Sequence, residues 1–372
     1  MARRYQHKDH APRALAREAA PKVARSLRKA FEHTRAIVPV KEIAGLIRHG
    51  RLRAVPNAID FGHLAAVMKE PFDEIASVVE RAGKAGAAEI TSAFGRAHRR
   101  IHYGRFVAPH ARRRLAGAGA HAGHGRHIVG KADPGDFGFD RFGDDTVALI
   151  RQYQDDLIAE LEQGARDAVH QAIMDGVRQA LSPEDVAANI RDTITLTAQQ
   201  SQAVANFRQL VETGDPAVFA RALRDQSFDN LLEMAVDGED LRSDIVDQIV
   251  QSYADNYLDY RAKTIADTES MRAANLGLRE SYRQAVDRGV FPAEAIKRFW
   301  LIALDEKTCQ LCIDISDMND QGVGVDEPFQ GPDGEVDDPP DPHPACRCSV
   351  QYETDLSMIP ADDSTDAEAA AA

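Results

Sequence analysis

All four cysteines of this 372-residue chain lie within one short stretch, residues 309–348. Cys309 and Cys312 form a C-x-x-C pair, while Cys346 and Cys348 form a C-x-C pair with His343 just upstream. A tetrahedral zinc site needs such paired spacings, because each short turn directs two ligands toward one ion. Metal rather than a large apolar core can then fold this part of the chain. The spacing therefore predicts a structural zinc site.

Five candidate ligands compete for four places at this site. Cys346 and Cys348 are two apart, so in an extended strand both would point to one face and could share the ion. Alternatively, His343 and one of these two cysteines complete the set. Two local disulfides or four inert thiols are the competing interpretations. No apolar stretch follows the basic N-terminus, so we expect no secretory signal and a reducing cytoplasm, which disfavours disulfides.

Charge is distributed very unevenly along the chain, whose net charge is -14. Residues 1–131 contain 26 Lys and Arg but only 10 Asp and Glu, whereas the remainder contains 19 basic and 49 acidic side chains. A basic arm of this kind could contact nucleic acid or an acidic protein surface, or fold back on the acidic half of its own chain. No apolar run reaches the ~20 residues of a membrane span, so we expect no membrane partner.

The segment 104–138 is rich in Gly, Ala, His and Arg and lacks periodicity, which predicts a flexible linker. Its arginines could contact phosphates without sequence preference; the candidates are Arg112, Arg113, Arg114 and Arg126. His121, His124 and His127 could bind metal at their spacing, but solvated low complexity is favoured because ordering a Gly-rich chain costs much entropy.

The rest of the chain is predicted to be mainly helical. Alanine is abundant and aromatic residues are only 6% of the total, which favours helix over sheet. Apolar residues recur at helical spacing over 12–36, 64–102, 145–181 and 241–288, with a kink or restart at Pro71 and a break near Lys263. Ser182, Thr197 and Asp215 are each expected to start a helix.

The predicted fold class is a multi-helix body with a small C-terminal, β-containing, zinc-stapled module. Strands are expected over 297–303 and 348–352, joined through an acidic loop at 317–341. The expected domains are a basic helical region (1–103), the linker (104–138), a helical body (139–298), the zinc module (299–352) and a disordered acidic tail (353–372).

Several motifs are arranged in an order that resembles the Mu F-like head morphogenesis (minor capsid) proteins of tailed bacteriophages. The resemblance covers roughly residues 137–352. Its most specific part is Trp300, followed by the Asp305–Cys312 and Pro339–Cys348 segments, which look like the family's D-x-R-T-C-x-x-C and P-P-x-H-P-x-C-R-C signatures. Further support comes from Leu196-Thr197, from Asn206-Phe207-Arg208 and from the 261–269 segment, which is similar to R-A-x-x-I-A-R-T-E. The motif residues besides the ligands are Arg261, Thr268, Glu269, Trp300, Asp305, Thr308 and Arg347. The chain departs from the pattern at Lys307 and Asp267, where the family usually has arginine.

The resemblance implies a non-enzymatic minor capsid protein that acts in procapsid assembly at the portal. Its partners would be the portal protein and other head proteins, and it would be packaged with or contact DNA in some cases. It would reside in the virion, and in the host cytoplasm during assembly. The alternatives are a zinc-dependent nuclease or transferase effector of a prophage, or a non-specific DNA-binding protein acting through the basic N-terminal region. A site with three protein ligands and a water would favour the enzyme.

Some motif residues have more than one interpretation. Trp300 is expected to be buried against the metal module, with a partner-facing anchor as the alternative. Glu269 and Arg272 form an i,i+3 pair that could build a buried polar network or a surface ion pair. Arg347 could hydrogen-bond the cluster or an acidic loop residue, or be exposed.

Overall fold

The computed structural model describes residues 10–107, 137–179, 181–303 and 308–358, and for 94–107 it describes the backbone alone. This part of the chain is mainly helical and contains two short two-stranded sheets, which confirms the predicted fold class. None of its helices is long and apolar enough to span a membrane. Asp305, the 112–114 arginines and Arg126 lie outside the described residues.

Ten α-helices are present in the described ranges. They are α1 (Ala11–Ala36), α2 (Val40–Arg48), α3 (His63–Val67), α4 (Lys69–Val107), α5 (Asp144–Arg178), α6 (Pro183–Thr193), α7 (Ala198–Glu212), α8 (Asp229–Val236), α9 (Ser243–Asp287) and α10 (Gln310–Met318). The strands of the same ranges are β1 (Ile296–Leu301), β2 (Phe329–Gly331), β3 (Gly334–Val336) and β4 (Ser349–Thr354).

Local capping chemistry sets several helix starts. The Ser182 hydroxyl accepts a hydrogen bond from the backbone N–H of Asp185 at the start of α6. Thr197 and Gln200 form the predicted capping box of α7. Asp215 also caps a helix, but that helix is a short 3₁₀ turn, Pro216–Ala220, rather than the start of an α-helix.

The long helices differ from the prediction in two places. The 64–102 segment restarts near Pro71, as predicted: it forms α3 and α4, and Pro71 lies in the first turn of α4, where a missing N–H costs nothing. The backbone of α4 continues to Val107, four residues into the predicted linker. The expected break near Lys263 is wrong: α9 runs through it as one 45-residue helix.

The predicted loop 317–341 is also partly ordered into secondary structure. The hairpin of β2 and β3 pairs Phe329 with Val336. The Asn319 side chain fixes this hairpin, because its amide donates to the Gln330 carbonyl at 2.8 Å and its oxygen accepts from the Gln330 N–H at 2.9 Å. The short strands lack the alternating apolar pattern that would reveal them in the sequence.

The chain divides into two compact units, each assembled from separate segments. Unit 1 comprises Met1–Glu18, Ala76–Val147 and Thr268–Ala372, and unit 2 comprises Ala19–Ile75 and Ala148–Asp267. These units are defined by which residues pack together in space. The five domains predicted from the sequence are consecutive ranges expected to fold independently, and they stay a prediction.

Each unit has its own apolar core. The unit 1 core joins the end of α9 to the strands and includes Leu278, Trp300, Phe329 and Val350. The unit 2 core includes Ile43 on α2, Val169 on α5 and Ile190 on α6. In unit 1, β1 pairs antiparallel with β4, with Leu301 opposite Ser349. This register places the residues that precede β4, including Cys346 and Cys348, beside the end of β1.

Candidate metal centre

The five predicted ligands meet in unit 1. The Nε2 atom of His343 lies 3.1 Å from the sulfur of Cys309 and 3.4 Å from that of Cys312. The sulfurs of Cys312 and Cys346 are 3.6 Å apart. Ligands 2.3 Å from a tetrahedral ion have sulfurs about 3.8 Å from one another. Each of these three spacings is therefore compatible with two ligands of one metal ion.

Two groups of three ligands share Cys312. One contains Cys309, Cys312 and His343, and the other contains Cys312, Cys346 and Cys348, with the ligand atoms of each group within 4.8 Å of one another. The described part of the chain thus offers a Cys/His cluster that could bind a metal ion. Because Cys312 belongs to both groups, we expect it in any four-ligand set.

The first cysteine pair is positioned by the start of α10. Cys309 is the N-cap residue, and its sulfur accepts the backbone N–H of Cys312 at 3.4 Å. Cys312 follows in the first turn and is buried. The start of α10 therefore places both sulfurs of the C-x-x-C pair in the cluster.

The second ligand segment is held by its backbone. His343 Nδ1 is 3.0 Å from the Pro344 carbonyl, and a proton donated there leaves Nε2 free as a ligand. Ala345 has φ of +56°, a left-handed conformation that is strained for a residue with a Cβ atom. Its N–H donates to the Thr268 hydroxyl of α9 at 2.8 Å. Thr268 therefore fixes the turn directly before Cys346.

The sulfurs of the second group share their protons. Cys348 accepts hydrogen bonds from Cys312 and then Cys346, and these lower the pKa of its thiol to about 3. Hydrogen bonds to Cys346 and Cys348, together with burial, raise the pKa of the Cys312 thiol. The thiolate of Cys348 is thus stabilised by hydrogen bonds from the Cys312 and Cys346 thiols. A metal cation could take the place of those thiol protons.

Trp300, the single tryptophan, packs in the same core as three of the ligands. It is 1% exposed and meets the Phe329 ring edge to face, with centroids 5.3 Å apart. Its indole N–H has no partner within ordinary hydrogen-bond distance in the described ranges, yet it helps to lower the pKa of Cys348. These contacts agree with burial rather than exposure at a partner surface.

Sequence reasoning missed a buried ion pair beside the metal cluster. The Arg298 guanidinium is fully buried on β1 and donates to the Asp338 carboxylate and to the carbonyls of Gly324 and Glu327. Burial raises the pKa of Asp338, although Arg298 and Arg279 oppose this. An arginine between Ile296 and Trp300 on one face of a strand was the available signal, but its partner lies 40 residues away.

The remaining motif residues lie in different places. Thr308 donates its hydroxyl proton to the Ala303 carbonyl before α10. Glu269 is buried and accepts from Arg272 at 3.1 Å, whereas the Arg272 side chain is 37% exposed. Arg347 is half-buried between two ligands. Arg261 belongs to unit 2, where it donates to the Thr195 carbonyl at 2.7 Å.

No protein-family model, curated protein or solved structure matches the chain. The chemistry of the site is therefore inferred from its ligand atoms alone. Thiolate and imidazole ligands favour soft or borderline metals over magnesium or calcium. With four protein ligands such a centre would join the start of α10 to the segment that precedes β4.

Proposed function

We propose that the protein is a non-enzymatic minor capsid protein that acts in phage procapsid assembly at the portal. The observation that carries the proposal is the hydrogen bond between Thr268 and Ala345. It joins two motif segments, 77 residues apart, that resemble separate signatures of the Mu F-like head morphogenesis proteins. If the 261–269 and Pro339–Cys348 segments stabilise one another, their occurrence in the same chain is explained by structure rather than by catalysis.

A second pair of motif segments meets in unit 2. Arg261 donates to the Thr195 carbonyl, directly before Leu196-Thr197. Both segments belong to the resemblance, and they are 66 residues apart. The motif residues thus have packing roles within each unit, which supports a structural protein more than a catalyst.

We also propose that the metal is zinc and that its role is structural. Cys and His ligands at these spacings suit a closed tetrahedral Zn²⁺ site. Such a site would fix the segments that carry the family signature. The portal protein and other head proteins are the proposed partners, in the virion and in the host cytoplasm during assembly, with packaged DNA as a further contact.

Quantitative mass spectrometry of gradient-purified particles tests the assembly role. We expect a few copies of the chain per head in precursor and mature particles from an induced prophage, in constant ratio to the portal protein. Particles from a portal-deficient mutant should lose the chain. Its absence from all particles would overturn the proposal and favour an enzyme or DNA-binding protein.

X-ray absorption at the metal edge tests the structural role of the site. The protein is purified without added metal, and its metal content is measured first. Zinc with four sulfur or nitrogen ligands at 2.0–2.3 Å is the expected result. Three protein ligands and one exchangeable oxygen would instead indicate an open, catalytic position.

A further inference from the structure

Unit 2 contains a narrow cleft with mainly apolar walls. Its empty space is about 420 Å³, including the open mouth. The apolar lining residues are Phe31, Ile37, Ile59, Phe61, Leu64 and Leu161. Ile37 is 38% exposed, so the cleft opens to solvent on that side.

Arg261 brings an unneutralised positive charge into this cleft. The residue is 9% exposed, and its guanidinium carbon lies 5.7 Å from the centre of the Phe31 ring. Its side chain donates one hydrogen bond, to the Thr195 carbonyl. Within the described ranges no carboxylate forms an ion pair with it.

The charged groups nearby do not neutralise Arg261. Asp60 lines the cleft but is exposed, and Glu160 attracts the guanidinium without a hydrogen bond. The neighbouring Arg35 donates to the Thr195 hydroxyl at 3.2 Å, but it has its own carboxylate, Asp255, at 2.6 Å. Burial lowers the pKa of Arg261 to about 10, although Glu160 opposes this.

A buried guanidinium without a carboxylate is unfavourable, because its water is lost and no ion pair replaces it. Its planar fork of donors is matched best by a carboxylate, which can accept two parallel hydrogen bonds. The apolar walls would contact whatever carries that carboxylate. The charge of Arg261 and the apolar walls of the cleft therefore favour a ligand in which a carboxylate is attached to an apolar group.

We propose that this cleft docks an acidic peptide segment of a protein partner. A Glu or Asp side chain of the segment would bind Arg261, and an adjacent apolar residue would pack against Phe31 and Leu64. This site is separate from the metal centre and does not depend on the assembly role.

The test uses two capped peptides, acetyl-Leu-Glu-Phe-amide and acetyl-Leu-Gln-Phe-amide, with the full-length protein. Binding is followed through the Nε–H signals of arginine-labelled protein by NMR. We expect the Arg261 signal to shift and the Glu peptide to bind at least about tenfold more tightly than the Gln peptide. Equal binding of the two peptides, or no shift at millimolar concentration, would overturn the proposal.

Three variants separate this site from general charge effects. Arg261→Met should abolish the preference for the Glu peptide, whereas Arg51→Met, at an exposed arginine of unit 2, should retain it. Ile37→Asp places a carboxylate at the mouth and should weaken Glu-peptide binding while leaving the fold intact. Preference retained in Arg261→Met would contradict the assignment.

Two further measurements identify the source of the carboxylate. Phenylpropionate that binds as tightly as the Glu peptide would assign the cleft to small acids and overturn a peptide partner. Removal of residues 359–372, which include several acidic side chains, should leave peptide affinity unchanged. A large gain in affinity on their removal would assign the cleft to the chain's own tail instead.

Discussion

Two buried arginines, one in each unit, have opposite electrostatic surroundings. Arg298 in unit 1 is fully buried and bonded to a carboxylate and two carbonyls, with the Phe329 ring 5.0 Å from its guanidinium carbon. Arg261 in unit 2 is almost as buried but has one carbonyl and no carboxylate. The first satisfies the general rule that buried charges are paired, and the second departs from it.

This difference implies that Arg298 has a structural role, whereas Arg261 is able to bind a partner. Arg298 ties β1 to the segment that leads to the metal ligands, so its donors are already used within the chain. Arg261 still has unused donors in an accessible cleft. Substitution of the two residues should therefore have different consequences for folding and for binding, and the following experiments test that difference.

Removal of any metal held by the Cys/His cluster should have the largest effect, because a tetrahedral ion would bind several segments of unit 1 at once. Chelation, or Cys312→Ser, is expected to unfold residues 299–352 while most helical circular dichroism remains. Structural zinc stabilises small domains by ~10 kcal/mol or more at neutral pH. Trp300 fluorescence reports on this region, since it is the only tryptophan. Met318→Ser, at an exposed site on α10, is the control; an unchanged Trp300 signal after complete metal removal would exclude a structural metal.

Arg298→Met should destabilise unit 1 by up to about 3–5 kcal/mol, because the buried Asp338 carboxylate loses its shorter ion pair and keeps, among the described residues, only Arg279, at 3.6 Å. The double variant Arg298→Met, Asp338→Leu should recover much of this loss. Arg283→Met removes an exposed pair with Asp326 and should cost less than about 1 kcal/mol. Denaturant unfolding monitored at Trp300 measures all three. Equal effects of Arg298→Met and Arg283→Met would show that burial of the pair is unimportant.

Thr268→Val should have an intermediate effect, because the Ala345 N–H loses its acceptor. The expected cost is about 1–3 kcal/mol, together with about tenfold weaker metal binding. Competition with a chromogenic chelator measures the affinity. Thr264→Val, one turn earlier on α9, is the matched control. Unchanged metal affinity in Thr268→Val would mean that this contact does not orient the ligand segment.

Arg261→Met should have the smallest effect on stability. Loss of one hydrogen bond is offset by removal of an unpaired buried charge, so we expect a change within about 1 kcal/mol, in contrast to Arg298→Met. Thermal unfolding of the two variants side by side measures the contrast. A loss above about 3 kcal/mol would indicate that Arg261 has a counter-ion in solution and would remove the basis for the acidic-peptide proposal.

Local signals in the sequence were sufficient for much of the fold. Ser182 and Thr197 start helices through contacts with residues three positions away, and such contacts follow directly from the sequence. The Cys/His cluster was also predictable as a group, since paired cysteine spacings with a nearby histidine are typical of metal sites.

Long-range pairing was not predictable in the same way. Arg298 and Asp338 are 40 residues apart, and the β2–β3 hairpin lies within a stretch whose composition is typical of a loop. The continuity of α9 through Lys263 depends on packing along its length rather than on any terminating residue. Likewise, the missing counter-ion of Arg261 becomes visible only when all its neighbours are known.

The segmented composition of the units has a consequence for the order of events during synthesis. Every residue of unit 2 precedes position 268. Unit 1, in contrast, includes a contact between His10 and Ser349, at 3.0 Å, from opposite ends of the described chain. At ~5–20 residues per second, the last ligand, Cys348, is translated about 4–16 s after unit 2 is complete. Metal capture would then be a late step, taken by a chain whose helical unit has already formed.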